Sequence, residues 1–94
     1  MENETIIKVE QFCTHYQVEV SFIDALQEYG LVELISREKE RFISEEHIRG
    51  IEKLIRLHYD LEVNMPGIDV ITHLLKRVEN LQTELNGIRN RLQD

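Results

Sequence analysis

Residues 9–32 read VEQFCTHYQVEVSFIDALQEYGLV, and the spacing of their apolar side chains decides the architecture of the chain. Val9, Phe12 and Cys13 recur at i, i+3 and i+4, the period of one helical face, which predicts a short helix over residues 8–15. The pattern lapses at Tyr16 and Gln17, where a turn is expected. Phe22, Ile23 and Leu26 restore it over residues 18–29. Gly30 then stands where a helix ends in left-handed backbone, a conformation glycine adopts without strain. Two short helices joined by so tight a turn form a helix-turn-helix unit.

Working towards the C-terminus, Val32 to Ile35 is apolar and partly β-branched, as a short strand requires. The charged run Ser36-Arg37-Glu38-Lys39-Glu40 predicts a turn, and Arg41-Phe42-Ile43 a returning strand. Ser44, followed by Glu45 and Glu46, has the form of a helix start with acids in its first turn. The helix expected from Ser44 to Glu62 carries Ile48, Ile51, Leu54, Ile55, His58 and Leu61 on one stripe. Asn64-Met65-Pro66-Gly67 interrupts it, with Pro66 suited to the first turn of a last helix.

That last helix holds the most regular pattern. Ile71, Leu74, Val78, Leu81, Leu85, Ile88 and Leu92 are spaced alternately by three and four, the core positions of a heptad repeat. With Ile71 at position a, Arg77, Glu84 and Arg91 fall at g, and Leu75, Gln82 and Arg89 at e. About three heptads are marginal as an isolated helix in water, so this segment should also pack against the preceding domain. The expectation is a homodimer through the seven seam residues; burial of the seam on the protein's own helices is the alternative. The predicted fold is mainly α: a winged helix-turn-helix over residues 1–62 with a small β-hairpin wing, then a C-terminal coiled-coil helix over 63–94.

Composition narrows the function. The 94 residues carry 11 Lys and Arg against 18 Asp and Glu, a formal charge of −7. Residues 1–36 alone hold seven acids and one base, so the imbalance lies in the first third of the chain. A charge of this sign opposes phosphate binding and favours a basic partner. The single cysteine, Cys13, excludes an intrachain disulfide and any multi-thiolate zinc site, and a small buried hydrophobe is its expected role. His15, His47, His58 and His73 offer no pair at helical ligand spacing, so no metal is expected. His58, at the edge of an apolar stripe, reads as a packed, hydrogen-bonded histidine. No Gly-rich phosphate loop, nucleophile elbow or acid–base set suggests catalysis. MENETIIKVEQ lacks a signal-peptide pattern and no apolar run spans a membrane, so a cytoplasmic protein without cofactor or small-molecule ligand is expected.

The stretches FCTHYQV, FIDALQEYGLV and RFISEEHIRGIEKLIRL resemble the helix-turn-helix, wing strand and following helix of MerR-type proteins. Phe12-Cys13, Tyr29 to Val32, Arg56 to Leu61 (RLHYDL) and Pro66-Gly67-Ile68 resemble, more specifically, the chaperone-modulatory CbpM family. The likeness runs over about residues 6–92. It implies a non-enzymatic chaperone modulator that binds the J-domain of a DnaJ- or CbpA-like co-chaperone and inhibits its action with DnaK.

The competing reading is a small MerR-like DNA-binding transcription regulator. MerR-type readers usually offer arginines and tyrosines on the second helix, whereas this helix offers Glu19, Ser21, Asp24, Ala25 and Glu28. Acids facing phosphates oppose binding where cations would release counterions. Arg37, Lys39 and Arg41 of the wing alternate with Glu38 and Glu40. DNA is therefore not the expected partner. The expected J-domain surface is an acidic face formed by Glu19, Asp24 and Glu28, joined by Glu10, with Tyr29 as an apolar anchor.

Overall fold

The computed structural model describes residues 5–93. The chain opens with a short strand, β1 (Ile6–Lys8), which passes directly into helix α1 (Val9–Tyr16). Helix α2 (Val20–Glu28) follows, then strands β2 (Ile35–Arg37) and β3 (Glu40–Ser44). A 3₁₀ turn over Glu45–His47 leads into α3 (Ile48–Ile55), a π-helical turn over Arg56–Asp60, and the long α4 (Met65–Leu92). This is the expected helix-turn-helix, wing and terminal helix, with one strand added at the front.

Both short helices end as their sequence dictates. Gly30 has φ +74°. Its N–H donates to the Gln27 carbonyl at 3.0 Å, and that of Leu31 to Leu26 at 2.9 Å. These paired bonds are those of a Schellman cap. Gln17 performs the same service after α1 with φ 58°, its neighbour Val18 bonding Cys13 at 3.0 Å. The α1–α2 turn is thus closed by backbone bonds, which fixes the angle between the helices.

The wing is tighter than its sequence suggested. β2 and β3 pair with Ile35 opposite Phe42, Ser36 opposite Arg41 and Arg37 opposite Glu40. Only Glu38 and Lys39 remain in the turn, both at positive φ, 52° and 68°. Two-residue hairpins favour such backbone because its twist matches the strands. The strand expected over Val32–Ile35 is therefore displaced to Ile35–Arg37. Val32 is a buried loop residue packed into the core. β1, which the periodicity did not disclose, pairs with β3 through Ile6–Ser44, Ile7–Ile43 and Lys8–Phe42, giving the sheet order β1-β3-β2.

The single helix expected over Ser44–Glu62 is also corrected. Ser44 closes β3, is buried and makes no side-chain cap. At the other end the helix widens to a π turn, with the Leu61 N–H bonded to the Arg56 carbonyl at 3.1 Å. An extra residue in a turn rotates everything after it out of the α register. Leu61, expected inward, is accordingly 66% exposed, while Leu57 packs against the core. Glu62 takes φ 57° to reverse the chain.

The core joins Val9, Phe12 and Cys13 of α1, Phe22, Ile23 and Leu26 of α2, Ile43 of β3, Ile51 and Leu54 of α3, and Ile68 of α4. Six side chains are almost wholly removed from solvent: Phe12, Ile23, Leu26, Ile43, Ile51 and Ile68. Truncating one of these, for example Ile23→Ala, should cost about 2–5 kcal/mol. Asn64 caps α4 by accepting from the Gly67 N–H at 2.9 Å. A Cβ on Gly67 would lie 2.7 Å from Val63 Cγ1, so any larger residue where this turn closes would displace the Val63 side chain. Ile68 anchors the first turn of α4 to the domain. No helix among the described residues is long and apolar enough to cross a membrane.

Candidate functional site

The expected acidic face is divided by the fold. Asp24 and Glu28, four residues apart on α2, share a side of the helix. Glu19 precedes the helix, and its backbone N–H donates to the Tyr59 hydroxyl oxygen at 3.2 Å. Ser21 donates to the Glu19 carboxylate at 3.2 Å, holding it at that end. Glu10 lies exposed on α1 and lines a shallow hollow with Val20 and the wing residues Lys39, Glu40 and Arg41. The structure therefore separates Glu19, beside the π turn, from Glu10, beside the wing.

Asp24 is not a free anion. Its carboxylate meets Arg41 of β3 at 2.7 Å, and the same guanidinium donates to the Gln27 side chain at 3.2 Å. Lys8 of β1 pairs with Glu40 of β3 at 3.1 Å. Two cations that a phosphate backbone would need are thus occupied by the protein's own carboxylates. Ion pairs this exposed contribute little to stability, so their main effect is on the charge the wing presents.

Glu28 and Tyr29 lie at the opposite end of α2 from Glu19. They end α2 immediately before Gly30, and Tyr29 is 41% exposed. Gly30 begins the wall of a cleft of about 550 Å³, which lies between the α2–β2 loop, α3 and α4. Its apolar lining is Leu31, Val32, Ile51, Leu54, Leu57 and Leu75. Residue spacing alone did not disclose this cleft, because its walls come from three separate parts of the chain. The one available hint was Leu75, an apolar residue outside the heptad core.

The π turn carries its own aromatic cluster. His58 stacks on Phe22 with ring centroids 4.9 Å apart, and its Nδ1–H donates to the Val63 carbonyl at 3.0 Å. Tyr59 meets Phe22 edge-on at 5.4 Å. His58 is therefore the packed, hydrogen-bonded histidine expected. Cys13 is buried, and burial, with Asp24 nearby, raises its thiol pKa above the ordinary value. A thiol so held is protonated and unreactive at neutral pH. Among the described residues no group of three His, Cys, Asp or Glu is placed to hold a metal ion.

Beyond its first turns α4 leaves the domain. Leu74, Val78, Leu81, Leu85, Ile88 and Leu92 are each between 45% and 81% exposed, and only Ile71 of the seam is partly covered. The protein's own helices do not bury this stripe.

A family model described as MerR HTH family regulatory protein matches residues 7–90. The chain is similar to the chaperone modulatory protein CbpM of Pseudomonas entomophila (strain L48), with 23% identity over 98% of this chain and 94% of that protein. It is similar to the CbpM of Pseudomonas putida (strain F1) at 25% identity over 98% and 94%. The CbpM of Escherichia coli O1:K1 is 24% identical over 98% of this chain and 93% of its own.

Proposed function

On the premise that the chain belongs to the MerR-type helix-turn-helix family, and within it to the chaperone-modulatory CbpM group, we propose that it is a non-enzymatic, cytoplasmic chaperone modulator. It acts by binding the J-domain of a DnaJ- or CbpA-like co-chaperone and so withholding that domain from DnaK. The likeness to proteins named for modulating a chaperone extends over almost the whole chain, terminal helix included. The observation that carries the reading against DNA is the 2.7 Å Asp24–Arg41 pair. An acid stands on the helix that would enter a groove, and it takes up an arginine of the wing. With the acid-rich first third of the chain, this leaves a surface suited to a basic protein rather than to phosphate.

Residues 63–94 supply the second element, a homodimer through Ile71, Leu74, Val78, Leu81, Leu85, Ile88 and Leu92. A stripe this apolar and this exposed on a protomer favours pairing with a second copy.

Isothermal calorimetry with the isolated J-domain of the host's CbpA-like protein tests the reading. Saturable binding that weakens with salt, together with loss of J-protein-stimulated DnaK ATPase, is expected. No heat with the J-domain, accompanied by tight and sequence-dependent binding to a DNA fragment, would establish a transcription regulator instead.

A further inference from the structure

We propose that the cleft between α3 and α4 is the docking groove for a partner helix, and that the occupant is a basic amphipathic helix of the partner protein. The inference rests on the partner reading above and names its surface.

Three observations converge on the cleft. Its lining is apolar at Leu31, Leu57 and Leu75, which keep exposed surface over the buried Val32, Ile51 and Leu54, an arrangement that takes the apolar face of a helix. Its wall on α3 includes Gly50, in the middle of a helical run where glycine weakens the helix. A Cβ built there would meet nothing within 4 Å, so the protein's own packing does not require glycine. A bare stretch of helix facing an open groove does let a second helix approach closely, and that accounts for the residue.

Charge selects the occupant. Where the α2–β2 loop meets the 3₁₀ turn, the rim carries Glu33 and Glu46. Glu45 adjoins Glu46 in the chain, and neither residues 28–36 nor residues 42–48 contain a lysine or arginine. The far end is mixed, with Lys53, Lys76 and Glu79. A helix with an apolar face and cationic residues at one end matches both features. A second copy paired along the heptad seam would border the cleft only at Leu75, at flanking position e. Thr72, Lys76 and Glu79 fall at heptad positions b, f and b, pointing away from that seam.

The test uses the full chain, the isolated J-domain of the host's CbpA-like co-chaperone, calorimetry and sedimentation equilibrium. Gly50→Leu fills the groove from an exposed helical position, and the pair Glu33→Lys and Glu46→Lys reverses its acidic rim. Each should weaken J-domain binding at least tenfold with oligomeric state unchanged and the unfolding midpoint not lowered. If Gly50→Leu fails to fold, the rim pair decides. Wild-type affinity in the rim pair or in a folded Gly50→Leu would overturn the groove while leaving the partner reading intact. Dissociation of the oligomer by Gly50→Leu would assign the cleft to a second copy and overturn the proposal. No binding by the wild-type chain would overturn both.

Discussion

The Tyr16 hydroxyl donates a 2.6 Å hydrogen bond to the Glu52 carboxylate, joining α1 to α3 across 36 positions of sequence. The Tyr16 ring meanwhile packs on Phe12, with centroids 4.3 Å apart, so one side chain ties the helix-turn-helix to the helix behind it. That bond to Glu52, more than burial or the carboxylate's charge, raises the Tyr16 pKa above its ordinary value.

A group whose pKa is higher in the folded state stabilises the fold fully below its unfolded pKa, here about 10. The stabilisation is lost as pH rises through the higher folded value. Tyr16→Phe should lower stability by about 1 kcal/mol at pH 7, the worth of an ordinary hydrogen bond. It should also flatten the decline in stability above pH about 10. Urea unfolding at pH 7 and across the alkaline range reads both. An unaltered alkaline decline in Tyr16→Phe would show that another group causes it.

The wing turn predicts a gain. Glu38 and Lys39 both adopt positive φ, which side chains of their kind disfavour and Asn-Gly accepts. Glu38→Asn with Lys39→Gly should stabilise the domain by about 0.5–1 kcal/mol through removal of that strain. Thermal unfolding would register a raised midpoint. A lowered one would mean that the flexibility glycine adds to the unfolded chain outweighs the relief.

Glycines at the two ends of α4 predict effects of opposite sign. A methyl at Gly67 strikes Val63 and crowds the Asn64 cap, whereas one at Gly87 meets nothing. Gly67→Ala should lower the unfolding midpoint. Gly87→Ala should raise the stability of the terminal helix by about 1 kcal/mol, the usual difference in helix propensity. Far-UV circular dichroism of the two variants on heating gives the comparison, and effects of equal sign would contradict it.

The exposed seam predicts a separation of folding from assembly. Leu81→Asp with Leu85→Asp should yield a monomer in sedimentation equilibrium that keeps the fold of residues 5–72, because neither leucine enters the domain core. Near-wild-type chemical shifts for the core methyl groups would show this. A variant that remains dimeric would remove the seam from the interface.

What could be read from the chain alone is whatever its near neighbours dictate. The i, i+3, i+4 recurrence placed Phe12, Cys13, Phe22, Ile23 and Leu26 in the core. Gly30 ended α2, Asn64 to Gly67 restarted the chain, and the heptad marked the apolar stripe of α4. Helical period and cap chemistry act within a turn or two of sequence, so a single segment suffices to reveal them.

Tertiary structure decided the rest, because those features depend on residues far apart in sequence. β1 exists only because Ile7 finds Ile43, and β2 takes the register that a two-residue turn and β3 impose on it. The π turn moves Leu61 outward against its own periodicity while His58 settles on Phe22. The acids of the first third looked like one face when counted along the chain. In the folded molecule Asp24 is taken up by Arg41, the Glu19 backbone N–H is held by Tyr59, and the acid of the first third that lines the cleft between α3 and α4 is Glu33. Composition determines how much charge the protein carries, but which charges a partner meets is set by the long-range packing that pairs some of them internally and leaves others in solvent.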